Sequence, residues 1–201
     1  IRATRTAALT VVGTRGHGGF AGLLVGSVSL RVASRCSGPL LTVGESREGE
    51  RPAHGTVLVG LHTEADEAAL RFGFEEAARR GAALRVLHVW SQPRMPGRLK
   101  LPPKEAEAAR AAAAELVREM VAPLSKEHPE VRVSADEQGG SAAATLVEAS
   151  RAADVTVLAV HRRQEPRVGL HLGPVAHAAL HHAYCPVLLV PSPAARKAGR
   201  S

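Results

Sequence analysis

Between Gly13 and Ser27 the chain carries residue types that can hold a phosphate. Gly13 and Gly16 have two residues between them, nine more follow, and then come Gly26 and Ser27. Glycine lets a loop bend tightly and lets its backbone approach an anion closely. The N–H groups exposed where a helix starts point at such an anion, with the positive end of the helix dipole behind them. Ser27 adds a hydroxyl and Arg15 a fixed positive charge. The same residues also suit a plain strand–turn–helix connection, with Ser27 or Gly26 as its cap and no ligand.

The surrounding elements must position these groups. Leu9 to Val12 is a short apolar run and reads as a buried strand, Gly13 to Gly22 as a loop, Gly26 to about Arg35 as a helix, and Pro39 to Val43 as a second strand. A loop that leaves a strand and enters a helix is the setting in which N–H groups converge on a phosphate.

Taken whole, RGHGGFAGLLVGSVS between its two strands closely resembles the nucleotide-binding motif G-x2-G-x9-G-[ST] of the universal stress protein family. The resemblance implies that Gly13, Arg15, Gly16, Gly26, Ser27 and Val28 grip the triphosphate of ATP. It also implies an α/β, Rossmann-like fold: a five-stranded parallel sheet in the order 3-2-1-4-5, sandwiched by helices.

The opening element recurs. Gly173 follows Gly26 by 147 residues and Pro186 follows Pro39 by the same 147, and Leu23, Val28 and Val43 meet Leu170, Val175 and Val190 at that offset. The reading is a tandem arrangement. Residues 1–45 are the C-terminal part of a first universal stress protein domain, 46–54 a linker, 55–192 a complete second domain and 193–201 a basic tail. The chain opens on Ile1 just ahead of a strand, so it reads as a fragment of a longer protein. From 44 to 55 it is polar and Gly/Pro-punctuated, which is linker composition.

In the second copy, strands at Thr56–Leu61, Leu84–Trp90, Val131 to about Asp136, Val155–Val160 and Val187–Val190 alternate with helices. The helices are Asp66–Arg80, Lys104 to about Glu127, Ser141 to Arg151, and Gly173–His182. In the long one, Ala108, Ala112, Leu116, Met120 and Leu124 recur every fourth residue and read as one buried stripe. This alternation argues for a parallel sheet covered on both faces. A ligand would sit where the strand order reverses, between Leu61–Glu64 and Val160–Gly173.

At the offset of 147, Val160 and Arg163 replace the first two motif glycines and Pro174 replaces the serine. Gly173 and Arg162 still match. Valine lacks glycine's backbone freedom, proline removes a hydroxyl and an N–H, and Glu165 in the loop repels phosphate. The family usually has Asp where this chain has His62. The second copy therefore reads as non-binding. The first copy keeps its loop, but the strand bearing the family's Asp and the adenine pocket would lie upstream, so ATP is expected there only in the full-length protein.

The net charge is +7, with one Trp, one Tyr and three Phe in 201 residues. A nucleic-acid surface needs a basic face interleaved with stacking aromatics; with so few aromatics the arginines read as solvated residues on helix surfaces, and no nucleic-acid partner is expected. No apolar run approaches bilayer-spanning length, and no signal peptide is visible. Cys36 and Cys185 form neither a disulfide framework nor a metal spacing, and the expected compartment is the cytoplasm. Cys185 reads as buried packing. His177 and His181 could share a helix face and chelate a metal, but no acidic residue or cysteine falls beside them, and they read as solvent-facing. His17, in the loop, can touch phosphate or face water. No nucleophile arrangement, general base or metal-binding carboxylate pair is suggested, so the chain reads as a regulator and not an enzyme, with weak ATP hydrolysis as the catalytic alternative. The last strands, Pro39–Val43 and Pro186–Val190, are apolar sheet edges and are expected to pair with each other or across a dimer. The alternative to ATP-linked stress regulation is a structural or signalling module that binds no nucleotide and dimerises through those strands.

Overall fold

The computed structural model describes residues 7–13, 27–34, 36–44, 53–90, 102–161 and 172–192. In chain order the elements are β1 (Thr10–Gly13), α1 (Ser27–Ala33), β2 (Leu40–Val43), β3 (Thr56–Leu61), α2 (Glu67–Arg80), β4 (Ala83–Trp90), α3 (Pro103–Glu127), β5 (Val133–Gly139), α4 (Ala142–Ala149), β6 (Val155–His161), α5 (Pro174–His182) and β7 (Val187–Ser192). All seven strands form one sheet in the order β1-β2-β7-β6-β3-β4-β5.

The expectation of a five-stranded, wholly parallel sheet is corrected here, because the sheet is seven-stranded and mixed. Strands β3 to β7 taken alone run parallel, as β5-β4-β3-β6-β7. β2 then joins β7 antiparallel, with Leu40 opposite Leu189, Leu41 opposite Leu188 and Thr42 opposite Val187. β1 adds to β2 in parallel. The physical reason is the apolar last strand. β7 would otherwise leave unpaired N–H and C=O groups on an apolar edge, and β2 supplies their partners. The buried Thr42 hydroxyl donates to the Val187 carbonyl across this seam at 3.0 Å.

Strand alternation divides the core in two. Val57, Val59, Leu84, Val86, Val155, Val157, Leu188 and Val190 face α2 and α3. Leu58, Leu87, Val89, Leu158, Val187 and Leu189 face α4 and α5, and Leu40 of β2 joins them together with Ala33 of α1. α2 lies unusually close on β3, because Gly73 has no side chain; a Cβ there would overlap the Val59 methyl. On α3 the buried residues are Ala113, Val117 and Leu124, with Met120 and Val121 packed beside them. Ala108 and Ala112 are exposed. A strict four-residue spacing advances about 40° past a full turn at each step, so it winds off the buried face, whereas mixed steps of three and four stay on it. The outer edge strand β5 is weakly apolar, and its Asp136 pairs with Arg85 of β4 at 2.7 Å. The other edge, β1, leaves Val11 58% exposed. No helix among the described residues is long and apolar enough to cross a membrane.

Candidate functional site

β3 has β4 on one side and β6 on the other, and the chain reverses its direction of travel across the sheet at this point. A cleft of about 400 Å³ opens there, beyond the C-terminal ends of β3 and β6. Leu61 and His62 from the end of β3, Val160 and His161 from the end of β6, and Gly173 to Ala176 at the start of α5 line it, with Leu146 of α4 and Leu87 and Val89 of β4 deeper in. This is the location expected from the strand order. Gly60 shapes the floor: a Cβ there would stand 2.6 Å from Leu158 Cδ2 and 3.0 Å from Leu146 Cδ1, so glycine lets both leucines lie against β3.

The polar end of the cleft is built around Asp66, which is 3% exposed. Its Oδ2 accepts the backbone N–H groups of His62 at 2.7 Å and Thr63 at 3.1 Å, and its Oδ1 lies 2.7 Å from His161 Nε2. The two backbone N–H groups satisfy Oδ2 of this buried carboxylate, and Oδ1 faces the His161 ring. Sequence reasoning missed both Asp66 and His161. The available signal was Thr63-x-x-Asp66 ahead of an apolar helix, a spacing at which the acidic side chain turns back to the cap backbone. His62 itself brings no carboxylate to the strand end; Asp66, four residues on, does.

His62 stacks on His88 of β4, with ring centroids 6.3 Å apart. Burial pushes the His88 pKa below the ordinary histidine range, and nearby His62 adds to this, against the raising influence of the Leu61 backbone, Glu137 and Asp66. In the unfolded chain His88 takes up its proton near pH 6.5. Between that pH and its lower folded pKa the unfolded state therefore holds more protons, so stability falls as pH drops below about 6.5. Urea midpoints at about pH 7.5 and about pH 5.5 should differ more in the native chain than in His88→Leu, because the substitution removes this proton uptake. An equal difference in both would show that His88 contributes nothing to acid sensitivity.

Of the sequence-derived phosphate residues, Gly13 ends β1 and Ser27 and Val28 open α1, whereas Arg15, Gly16 and Gly26 lie outside the described residues, as do His17, Arg162, Arg163 and Glu165. The Ser29 hydroxyl donates to the Gly13 carbonyl at 2.7 Å, tying the end of β1 to the first turn of α1.

Sheet register corrects the match between the two similar stretches. Thr10 N–H donates to the Pro39 carbonyl, and Thr156 N–H donates to the Pro186 carbonyl, each at 2.9 Å. Likewise Thr10 lies opposite Leu40, and Thr156 opposite Val187. β1 and β6 therefore correspond at an offset of 146, although β2 and β7 correspond at 147. Ala159, not Val160, stands in the place of Gly13. A one-residue insertion in the second loop reconciles the two offsets, since hydrogen-bond pairing fixes register inside a sheet but not across a loop. Pro174 remains the counterpart of Ser27, as the first residue of α5.

His177 is exposed on α5, as expected, but His181 is half-buried, and burial together with its neighbours His177 and His182 lowers its pKa. The His177 and His181 rings are 4.5 Å apart. Among the described residues no group of three or more metal-ligating side chains forms. Cys36 and Cys185 are both buried, and the Cys185 sulfur lies 3.2 Å from the Thr156 hydroxyl.

Comparison with known proteins agrees with this architecture. The model of the universal stress protein family matches residues 1–44 and 54–191. A universal stress protein of Mycobacterium tuberculosis is 31% identical over 193 residues, covering 94% of this chain and 61% of that protein. The chain thus spans about three fifths of the length of the curated relatives it matches. Among solved structures, a universal stress protein of Archaeoglobus fulgidus DSM 4304 superposes with a TM-score of 0.63 at 17% identity, covering 96% of this chain and 63% of that one. Another from Archaeoglobus fulgidus, solved in complex with dAMP, gives 0.50 at 20% identity, covering 67% of this chain and 96% of that one. The structural likenesses establish the fold, a Rossmann-like α/β sheet with helices on both faces. Since the family's sequence pattern runs through both stretches and leaves out little besides the segment between them, the chain belongs to the universal stress protein family.

Proposed function

We propose that this chain is part of an ATP-responsive regulator of the stress response, in which Gly13, Arg15, Gly16, Gly26, Ser27 and Val28 hold the phosphates. The observation that carries the reading is the glycine spacing at a strand end tied to a helix start by the Ser29–Gly13 hydrogen bond. Exposed N–H groups at such a junction complement a polyphosphate. A solved family member bound to dAMP supports an adenine nucleotide as the ligand class. Residues 1–45 are then the end of a first domain, 46–54 a linker, 55–192 a second domain and 193–201 a tail. The antiparallel seam between β2 and β7 supports pairing of the two copies within one chain as the role of the last strands. In the second copy Ala159 and Pro174 replace the glycine and serine, and His62 stands where the family usually has Asp, so ATP belongs to the first copy alone.

Calorimetric titration of ATP into the full-length protein and its Gly13→Val variant tests this. The valine should weaken binding at least about tenfold, because a branched side chain takes the space and backbone freedom the loop uses. Unchanged affinity would remove the loop from the site.

A further inference from the structure

We propose that the cleft between β3 and β6 binds a compact, largely apolar small molecule that carries no negative charge, independently of the glycine loop. Its volume of about 400 Å³ falls within the range of small-molecule sites. Most of its wall is aliphatic: Leu61, Leu87, Val89, Leu146, Leu158 and Val175 contribute to it. Such a wall favours a ligand that gains by leaving water, and it penalises one that must shed a hydration shell.

The charges point the same way. No lysine or arginine is among the described lining residues. The one carboxylate, Asp66, is buried, with Oδ2 held by two backbone N–H groups and Oδ1 facing the His161 ring. It repels an anion at close range. The helix start that would meet a phosphate opens on Pro174, which lacks one of the N–H groups such a site would use. The His62 imidazole at the mouth suits orientation of one hydrogen-bonding group on an otherwise apolar body.

The test uses the 201-residue chain and the neutral fluorophore N-phenyl-1-naphthylamine. The native chain should bind one equivalent saturably, with a rise in fluorescence. Ala142→Phe and Val175→Trp, which place bulk into the cleft from α4 and α5, should each weaken that binding at least tenfold while circular dichroism and melting temperature show a folded chain. A large excess of ATP should leave the titration unmoved, as should Gly16→Val, which alters only the glycine loop. That last arm separates this proposal from the nucleotide reading, since either can fail alone. The proposal is overturned if the probe does not saturate, if both cleft variants fold and bind it normally, or if ATP displaces it competitively.

Discussion

Replacing Leu188 with lysine is expected to unfold the sheet. Leu188 is 3% exposed at the middle of β7, with Leu41 of β2 on one side and Val157 of β6 on the other. It points into the core beneath α2. A lysine there must bury its ammonium without a partner, displace the core or flip the strand, and such changes cost more than about 4 kcal/mol. Domains of this kind have about 5–15 kcal/mol in total, so the variant should lose its cooperative denaturant transition or aggregate. Leu41→Lys reads the seam itself. Leu41 is only half-buried, so its lysine can extend to solvent and cost less, while still disturbing the β2–β7 pairing. A native denaturant midpoint for Leu188→Lys would mean that β7 does not lie between β2 and β6.

Phe74→Ala carries the next largest effect. Phe74 is fully buried on α2 and packs with Val59, Leu70, Leu84, Val117 and Leu124. Its ring also stacks against His128 with centroids 5.8 Å apart, so it joins α2 to the end of α3. With so few aromatics in the chain, this ring is the largest side chain fully buried in the core. Truncation should cost about 3–5 kcal/mol, since the rigid strand beneath cannot collapse into the void. At this chain length that corresponds to a melting temperature roughly 10 °C lower. A drop of only a degree or two would place Phe74 at a surface that can close over the cavity. The effect should reach the cleft as well, because α2 holds down β3, whose end supplies Leu61 and His62.

Much of this protein was legible in its residues. Apolar runs such as Thr56–Leu61 and Val155–Val160 announced buried strands, because a strand covered on both faces has no polar side to alternate with. Glycines and prolines marked the boundaries of the elements, since these residues restrict backbone angles locally. Local rules go no further than local geometry. The α3 stripe at Ala108 and Ala112 went astray because helical periodicity alone does not say which arc of the helix meets the sheet. The match of Val160 to Gly13 went astray because counting residues assumes equal loops, whereas the ladder hydrogen bonds set Thr156 opposite Val187 regardless of loop length. The cleft's polar end depends on Asp66 and His161, 95 positions apart in the chain, meeting at 2.7 Å. No spacing rule relates such residues; only the parallel pairing of β3 with β6 brings them together. In the same way the apolar edges of β2 and β7 were visible as edges, but the seven-stranded mixed sheet required both strands to be folded and free to satisfy each other's backbone groups. The sequence by itself determined the elements and the family. The tertiary structure decided strand register, the Asp66–His161 contact and the character of the cleft, because these come from hydrogen-bonding and packing between segments that share no local constraint.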